Sequence, residues 1–149
     1  MEGFKKILYP VSLIEASPQL VPYVKLMAAQ FNAEIHLLYV AQKFERYRGV
    51  FVQSAVIESF SNELVSGAQK RLQEFKQKNF SDFPETKIAV LSGDRSKQIL
   101  GYIESSGIDL VVMGVQTDVI DKVMFGSVAE KVIKLSPVPV LVVKPPQAG

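Results

Sequence analysis

The run Ile108-Asp-Leu-Val-Val-Met-Gly114, followed after a polar segment by Gly126-Ser127 and then by Pro139-Val-Leu-Val-Val143, decides the fold of this chain. The first run is apolar and stops at a glycine, and the last is typical of a fully buried strand. Between them, residues 127–135 repeat apolar side chains at helical spacing. Strand, helix and strand in this order form a βαβ unit, which implies a parallel sheet with helices packed on its faces.

The rest of the chain repeats this alternation of strand and helix. Apolar runs at residues 7–10, 33–40 and 86–91 predict three further strands, with helices between them and after Gly93. The predicted order is therefore β-α-β-α-β-α-β-α-β, with no internal repeat and no interdomain linker. We predict one α/β domain over residues 1–149, built on a doubly wound, five-stranded parallel sheet with helices on both faces.

Local signals mark where the predicted helices begin and end. Ser17 is predicted to cap the first helix, but Pro22 lacks an N–H, so either the first turn is irregular or the regular helix begins nearer Pro22. Asp94 is predicted to cap the third helix, and Gly107 to end it. The long second helix is predicted from an apolar stripe at i, i+4 spacing: Val52, Val56, Phe60, Leu64, Ala68, Leu72 and Phe75.

Composition limits the chemistry that the protein can perform. Hydrophobic residues make up 48% of the 149 residues, enough for a substantial core, and a net charge of +2 gives no argument for nucleic acid. The chain has no cysteine and one histidine, which excludes zinc–thiolate sites and makes a histidine-based triad improbable. Because there is neither a secretory leader nor a run of about 18 apolar residues, we expect a cytoplasmic protein without a membrane partner.

A ligand cleft is predicted where the winding of the sheet reverses. If the strand order is 3-2-1-4-5, the reversal lies between strands one and four, with residues 10–12 and 113–115 as its two lips. The helix beginning at Ser127 would direct unpaired N–H groups at the same cleft, which favours a mononucleotide or phosphate. The dinucleotide and P-loop glycine patterns are missing, as are the acidic residues of a phosphoacceptor receiver.

These motifs together resemble the universal stress protein family. The resemblance rests on the strand ending at Gly114, on Gly126-Ser127 and on the ending Pro137-Val-Pro139-Val-Leu-Val-Val143, and Lys6-Ile-Leu-Tyr-Pro10 fits the same pattern. It implies a five-stranded parallel sheet of order 3-2-1-4-5, of the adenine nucleotide alpha hydrolase-like type. It further implies a homodimer and, as in many members, ATP binding without a well-defined reaction.

The nucleotide-binding members carry Gly-x-x-Gly-x9-Gly-Ser/Thr after strand four. Here Gly114 matches the first glycine and Gly126-Ser127 the last pair, but Thr117 replaces the second glycine and the loop is one residue shorter. The aspartate that contacts adenosine in ATP-binding members is Val11 here. The two departures imply a non-catalytic stress-response or regulatory module with weak or lost nucleotide binding. The retained Gly-Ser pair favours the alternative, a genuine adenine-nucleotide binder with slow ATPase activity.

The resemblance assigns ligand binding to Pro10, Val11, Ser12, Val40, Met113, Gly114, Gly126, Ser127 and Val128. Structural interpretations stand beside these roles: Ser127-Val-Ala-Glu130 is also a capping box, the two glycines suit turns, and Val40 and Met113 suit ordinary packing. The sequence places no catalytic base, no metal cluster and no arginine beside the loop, so we assign no catalytic residue.

Two segments predict contacts with other chains. In the order 3-2-1-4-5 the last strand is an edge, and its apolar residues Val140, Leu141, Val142 and Val143 predict a homodimer formed through that strand. The basic and aromatic residues 43–51 are predicted to form either a solvated loop or a surface for a protein partner. His36 is interpreted as a hydrogen-bonded structural residue, and Asp118 and Asp121 as part of a solvated loop.

Overall fold

The computed structural model describes residues 3–12, 18–41, 54–114, 116–117, 123–124 and 126–144. These residues form strands and helices in the alternation that the sequence predicts. Their bounds are β1 (Lys6–Pro10), a 3-10 turn (Pro18–Leu20), α1 (Val21–Phe31), β2 (Glu34–Ala41), α2 (Ser54–Asn79), β3 (Lys87–Ser92), α3 (Arg95–Ser106), β4 (Leu110–Gly114), β5 (Gln116–Thr117), β6 (Val123–Met124), α4 (Ser127–Leu135) and β7 (Val140–Val143). No helix among the described ranges is long and apolar enough to cross a membrane.

The main sheet has the spatial order β3-β2-β1-β4-β7, and each neighbouring pair is parallel. Ile7 of β1 lies opposite Ile35 of β2 on one side and Leu110 of β4 on the other. Because β7 is the fifth strand of this sheet, the predicted order 3-2-1-4-5 is confirmed. The winding reverses between β1 and β4, as a ligand cleft in such a fold requires.

Alternating side chains along each strand divide the core into two layers. Ile7 and Tyr9 belong to one layer and Leu8 to the other, as the period of two in a strand requires. Helices α1 and α2 cover the first layer, and α3 and α4 cover the second. The buried helical residues are Val21, Val24, Ala28, Leu72 and Phe75 in the first layer and Ile99, Ile103, Ala129 and Val132 in the second.

The start of α1 settles the question raised by Pro22. A 3-10 turn over Pro18–Leu20 precedes the regular helix, which begins at Val21 with Pro22 in its first turn. The missing N–H of Pro22 therefore costs no helical hydrogen bond. The alternative in which the regular helix begins nearer Pro22 is therefore confirmed, and Leu20 is the N-cap, without a side-chain capping bond. Ser17 lies outside the described residues.

The stripe predicted for α2 is buried over only part of its length. Ala68, Leu72 and Phe75 are buried, but Leu64 is 41% exposed, so the apolar stripe extends beyond the buried part of the helix. A helix of 26 residues is about 39 Å long, whereas an eight-residue strand such as β2 spans about 26 Å, so the sheet cannot cover the whole stripe. Val52 and the side chains of Val56 and Phe60 lie outside the described part.

A short antiparallel ribbon stands where the sequence predicts only a loop. Gln116 pairs with Met124 and Thr117 with Val123, outside the main sheet. The prediction of a loop is therefore wrong at these four positions, and two pairs of residues are too few to give a recognisable strand pattern. Asp118 and Asp121 lie outside the described residues.

His36 is the only histidine of the chain and is buried in β2. The hydroxyl of Tyr102 lies 2.7 Å from its Nδ1, and Oε1 of Glu34 lies 2.6 Å from its Nε2. Burial lowers the pKa of His36, although the hydrogen bond to Glu34 opposes this shift. A neutral ring that donates from Nε2 and accepts at Nδ1 satisfies both partners. The interpretation of His36 as a hydrogen-bonded structural residue is confirmed.

Candidate functional site

A cavity of about 330 Å³ lies at the carboxyl edge of the sheet, beside the point where the winding reverses. It brings together every residue that the sequence proposes for ligand binding: Pro10, Val11, Ser12, Val40, Met113, Gly114, Gly126, Ser127 and Val128. Their role in binding stays a prediction. The sequence analysis missed the other residues of the lining, which are Leu38, Tyr39, Arg95, Ile99 and Ala129.

Parallel pairing explains how distant segments meet at this cavity. Strands β1, β2 and β4 are neighbours that run in the same direction, so their carboxyl ends lie side by side. The N–H of Val11 donates to the carbonyl of Leu38 at 2.8 Å, which holds the segment after β1 against β2. Val40 and Met113 are buried and give the cavity an apolar lining.

The lip formed by the segment after β1 is packed as part of the core. Val11 is 6% exposed and belongs to the layer covered by α1 and α2. Leu20 and Val21 belong to the same layer, so the side chain at position 11 stands in apolar surroundings. Valine is therefore suited to this position by packing, and it offers no acceptor to a ligand.

The two glycines of the motif differ in what the fold requires of them. A Cβ at Gly114 would lie 2.8 Å from Cδ1 of Leu20, so close packing favours glycine there. A Cβ at Gly126 would meet no atom of the described residues within 4 Å, and its φ of −62° suits any residue. Neither the backbone conformation nor packing against the described residues therefore requires glycine at position 126, although it lines the cavity.

The capping box predicted at Ser127 is wrong. Gly126 is the N-cap of α4, and no side chain provides a capping hydrogen bond. Ser127 is the first helical residue, and the carboxylate of Glu130 accepts from Nζ of Lys134 at 3.1 Å. Within the described residues, the first backbone N–H groups of α4 consequently lack a side-chain capping partner at the wall of the cavity, where an anion would be stabilised.

Arg95 lines the cavity, although the sequence alone could not place an arginine there. It is half-buried, begins α3 and lines the cavity together with Ser127. The predicted topology could have indicated that Arg95 lies near the cavity, because a helix that follows a parallel strand begins at the carboxyl edge of the sheet. Asp94 marks that beginning in the sequence, and its predicted capping role is confirmed by the 3.0 Å bond from the N–H of Lys97.

The residues proposed for contacts with other chains lie elsewhere. Strand β7 pairs only with β4 and is therefore an edge of the main sheet. Val140 and Leu141 are half-buried, Val142 is 37% exposed and Val143 is buried. Residues 43–51, predicted as a solvated loop or a partner surface, lie outside the described residues. The described residues contain no group of three or more metal-ligating side chains suited to a metal ion.

Comparison with known proteins gives a consistent result. Residues 3–144 match the universal stress protein family. Universal stress protein MJ0577 of Methanocaldococcus jannaschii is 29% identical over 154 residues, which cover 95% of each chain. A solved structure of MJ0577 covers 97% of this chain and 98% of its own, with a TM-score of 0.77 and 27% identity.

Two more distant structures share the fold. Universal stress protein UspA from Lactobacillus plantarum has a TM-score of 0.73 at 22% identity and covers 95% of this chain and 98% of its own. A universal stress protein in complex with cAMP has a TM-score of 0.57 at 17% identity and covers 97% of this chain and 99% of its own. The family match extends over nearly the whole length, and the chain belongs to the universal stress protein family.

Proposed function

We propose that this protein is a non-catalytic, dimeric stress-response or regulatory module of the cytoplasm whose cleft binds adenine nucleotides weakly. The observation that carries the proposal is the cavity at the carboxyl edge, which combines a wall suited to phosphate with an apolar lip at Val11. The proposal assigns no catalytic residue. The proposed role is to bind a nucleotide and, through that binding, to affect a protein partner.

The features of the cavity that favour a nucleotide are its size and the arrangement of its walls. A volume of about 330 Å³ is at the lower end of small-molecule sites, and such sites combine apolar walls with a few polar groups. Val40, Met113 and Ile99 offer apolar surface to a planar base. The uncapped amino end of α4 at Ser127 offers N–H groups to a phosphate.

The feature that favours weak binding is Val11. Its side chain is packed in the core and cannot accept a hydrogen bond from a ribose or a base. A hydrogen bond to a carboxylate contributes about 1.5–3 kcal/mol, which corresponds to roughly 10- to 150-fold in affinity. A nucleotide in this cleft therefore lacks one strong contact on its nucleoside side.

The alternative function is tight binding of an adenine nucleotide, with slow hydrolysis. Gly126 favours it, because neither the backbone conformation nor packing requires a glycine at this position of the cavity. Arg95 adds a cation to the same wall. Micromolar affinity for ATP, together with release of inorganic phosphate, would support this alternative and contradict weak binding.

A homodimer through β7 is supported by the edge position of that strand. An edge with exposed apolar residues such as Val142 favours pairing with a second copy. We expect the mass of a dimer at micromolar concentration in size-exclusion chromatography with light scattering. Val142→Lys should give the mass of a monomer, while the matched change Leu26→Lys on the exposed face of α1 should leave the dimer intact.

A thermal-shift titration with AMP, ADP, ATP and cAMP, with and without magnesium, tests the proposed binding. A ligand at 100 times its dissociation constant adds about 2.7 kcal/mol of stability, which raises the melting temperature measurably. We expect shifts only at high micromolar to millimolar nucleotide, confirmed by calorimetry. The absence of any shift at millimolar nucleotide would overturn nucleotide binding.

A further inference from the structure

A second, smaller cavity adjoins the cleft between the amino ends of α3 and α4. It has a volume of about 190 Å³ and is lined by Asp94, Arg95, Ser96, Ser127, Val128 and Lys131. Arg95, Ser127 and Val128 also line the larger cavity, so the two spaces share a wall. A ligand held at the amino end of α4 is therefore adjacent to both cavities.

Two cations of this smaller cavity have no carboxylate partner in the described part of the chain. Among the described residues, no carboxylate oxygen lies within 4 Å of the guanidinium of Arg95 or of Nζ of Lys131. By contrast, Lys134, one turn further along α4, is paired with Glu130 at 3.1 Å. Arg95 is half-buried, and partial burial of an unpaired charge is unfavourable unless a counter-charge is supplied.

The carboxylate that lines this cavity is already engaged. Oδ2 of Asp94 accepts from the N–H of Lys97 at 3.0 Å and from Oγ of Ser96 at 2.8 Å. These hydrogen bonds, with smaller contributions from the nearby charges of Lys131 and Lys97, lower the pKa of Asp94, so the group is ionised at neutral pH. Among the described lining residues, two cations then face one anion, which leaves a positive excess.

We propose that this smaller cavity is a second anion subsite, in which Arg95 and Lys131 bind the terminal phosphate of a nucleoside di- or triphosphate. The inference rests on the proposed function, because the nucleoside and the first phosphate occupy the larger cavity. Arg95 belongs to both linings and holds two donors in a planar fork that matches phosphate oxygens. The subsite makes affinity depend on the number of phosphates.

The test compares affinities for AMP, ADP and ATP by calorimetry in the wild-type protein and in Arg95→Gln and Lys131→Gln. We expect ATP to bind about tenfold or more tightly than AMP in the wild type, since charge-assisted contacts are added. Arg95→Gln should bring this ratio close to one, and Lys131→Gln should lower it partly. Lys97→Gln, the same charge change on the same helix outside the cavity, should leave the ratio unchanged.

Tripolyphosphate in the same titrations separates this subsite from the proposed function. If nucleotides bind but the ATP-to-AMP ratio is equal in the wild type and in Arg95→Gln, the subsite is wrong and the proposed function stands. If no nucleotide binds but tripolyphosphate raises the melting temperature of the wild type and not of Arg95→Gln, the anion site stands and nucleotide binding fails. If neither ligand binds, both proposals fail. Unchanged circular dichroism shows that the variants fold.

Discussion

The two sides of the carboxyl edge are built differently. On the side of β1 and α1, Val11 and Leu20 are buried in the core and Leu20 would lie 2.8 Å from a Cβ at Gly114. On the side of α3 and α4, Gly126 has free space and Arg95 has no carboxylate within 4 Å among the described residues. Packing in the core therefore restricts the choice of residue on the first side. On the second side, the described contacts of the fold do not restrict the choice of residue at Gly126 or Arg95.

This difference separates structural from functional interpretations of one sequence motif. Gly114 and Gly126 look equivalent in the sequence, yet among the described residues a close packing contact is found at Gly114 and not at Gly126. A residue that the fold does not require and that lines a cavity is the better candidate for ligand contact. We therefore expect substitutions on the first side to change stability and substitutions on the second side to change binding.

Val11→Asp should have the largest effect on stability. It places a carboxylate at a position that is 6% exposed, and an uncompensated buried charge costs about 3–5 kcal/mol. Burial raises the pKa of the new carboxyl in the folded state above its unfolded value near 3.9, so the loss should grow as the pH rises from that value toward the folded pKa. Urea unfolding at several pH values measures the free energy of unfolding and its dependence on pH.

Val11→Asn is the control for the Val11→Asp experiment. The amide is polar but does not titrate in this range, so its cost should not depend on pH. A Val11→Asp protein as stable as the wild type at pH 8 would show that position 11 is solvated, and the contrast between the two sides would be lost.

Gly114→Ala should have the next largest effect. The new methyl group would force Leu20 to move, and overpacking of this kind costs about 1–3 kcal/mol. In a double-mutant cycle, Leu20→Val should recover part of the lost stability, because it shortens the side chain with which the new methyl group clashes. Additive effects in chemical denaturation would show that the close approach of Leu20 does not determine the choice of glycine.

The sequence predicted the fold well because each buried strand is a short apolar run and each connection has a local signal. Asp94 caps the beginning of α3 and Gly107 its end, as expected, and the order of the sheet followed from the resemblance. The cleft could be predicted because parallel strands bring their carboxyl ends together. Its candidate residues were found on β1, β2, β4 and α4.

The parts that the sequence did not predict depend on three-dimensional neighbours. Arg95 follows a correctly identified cap, but only the packing of α3 beside α4 brings it to the cavity. Glu130 fits a capping box by spacing, yet Lys134 one turn later is an alternative partner, and the N-cap is one residue earlier than expected. The exposure of Leu64 depends on how much of α2 the sheet can cover.

Gly126→Asp should leave the fold intact and reduce binding. Aspartate is a better N-cap than glycine by a few tenths of a kcal/mol, so the free energy of unfolding should stay equal or rise slightly. Its carboxylate would accept from the free N–H groups of α4 and repel a phosphate there, lowering ATP affinity by about tenfold or more. Unchanged ATP affinity in calorimetry would show that the phosphate does not bind at this helix end.

Asp94→Asn should have the smallest effect and tests the amino end that is already capped. The bond from the N–H of Lys97, followed by the bond from Ser96, holds the pKa of Asp94 below its usual value. The stabilisation by the ionised cap is therefore full above the unfolded pKa near 3.9 and is lost as the pH falls through the lower folded pKa.

Because asparagine also caps helices, Asp94→Asn should lower the melting temperature at pH 7 by only about 1–3 °C, and it should flatten the pH dependence below pH 4. The variant also removes the carboxylate that Asp94 contributes to the lining of the smaller cavity, so ATP affinity should stay equal or rise. A fall in ATP affinity with an unchanged fold would mean that Asp94 itself contacts the ligand. In that case the capped and the uncapped helix ends would both belong to the binding site.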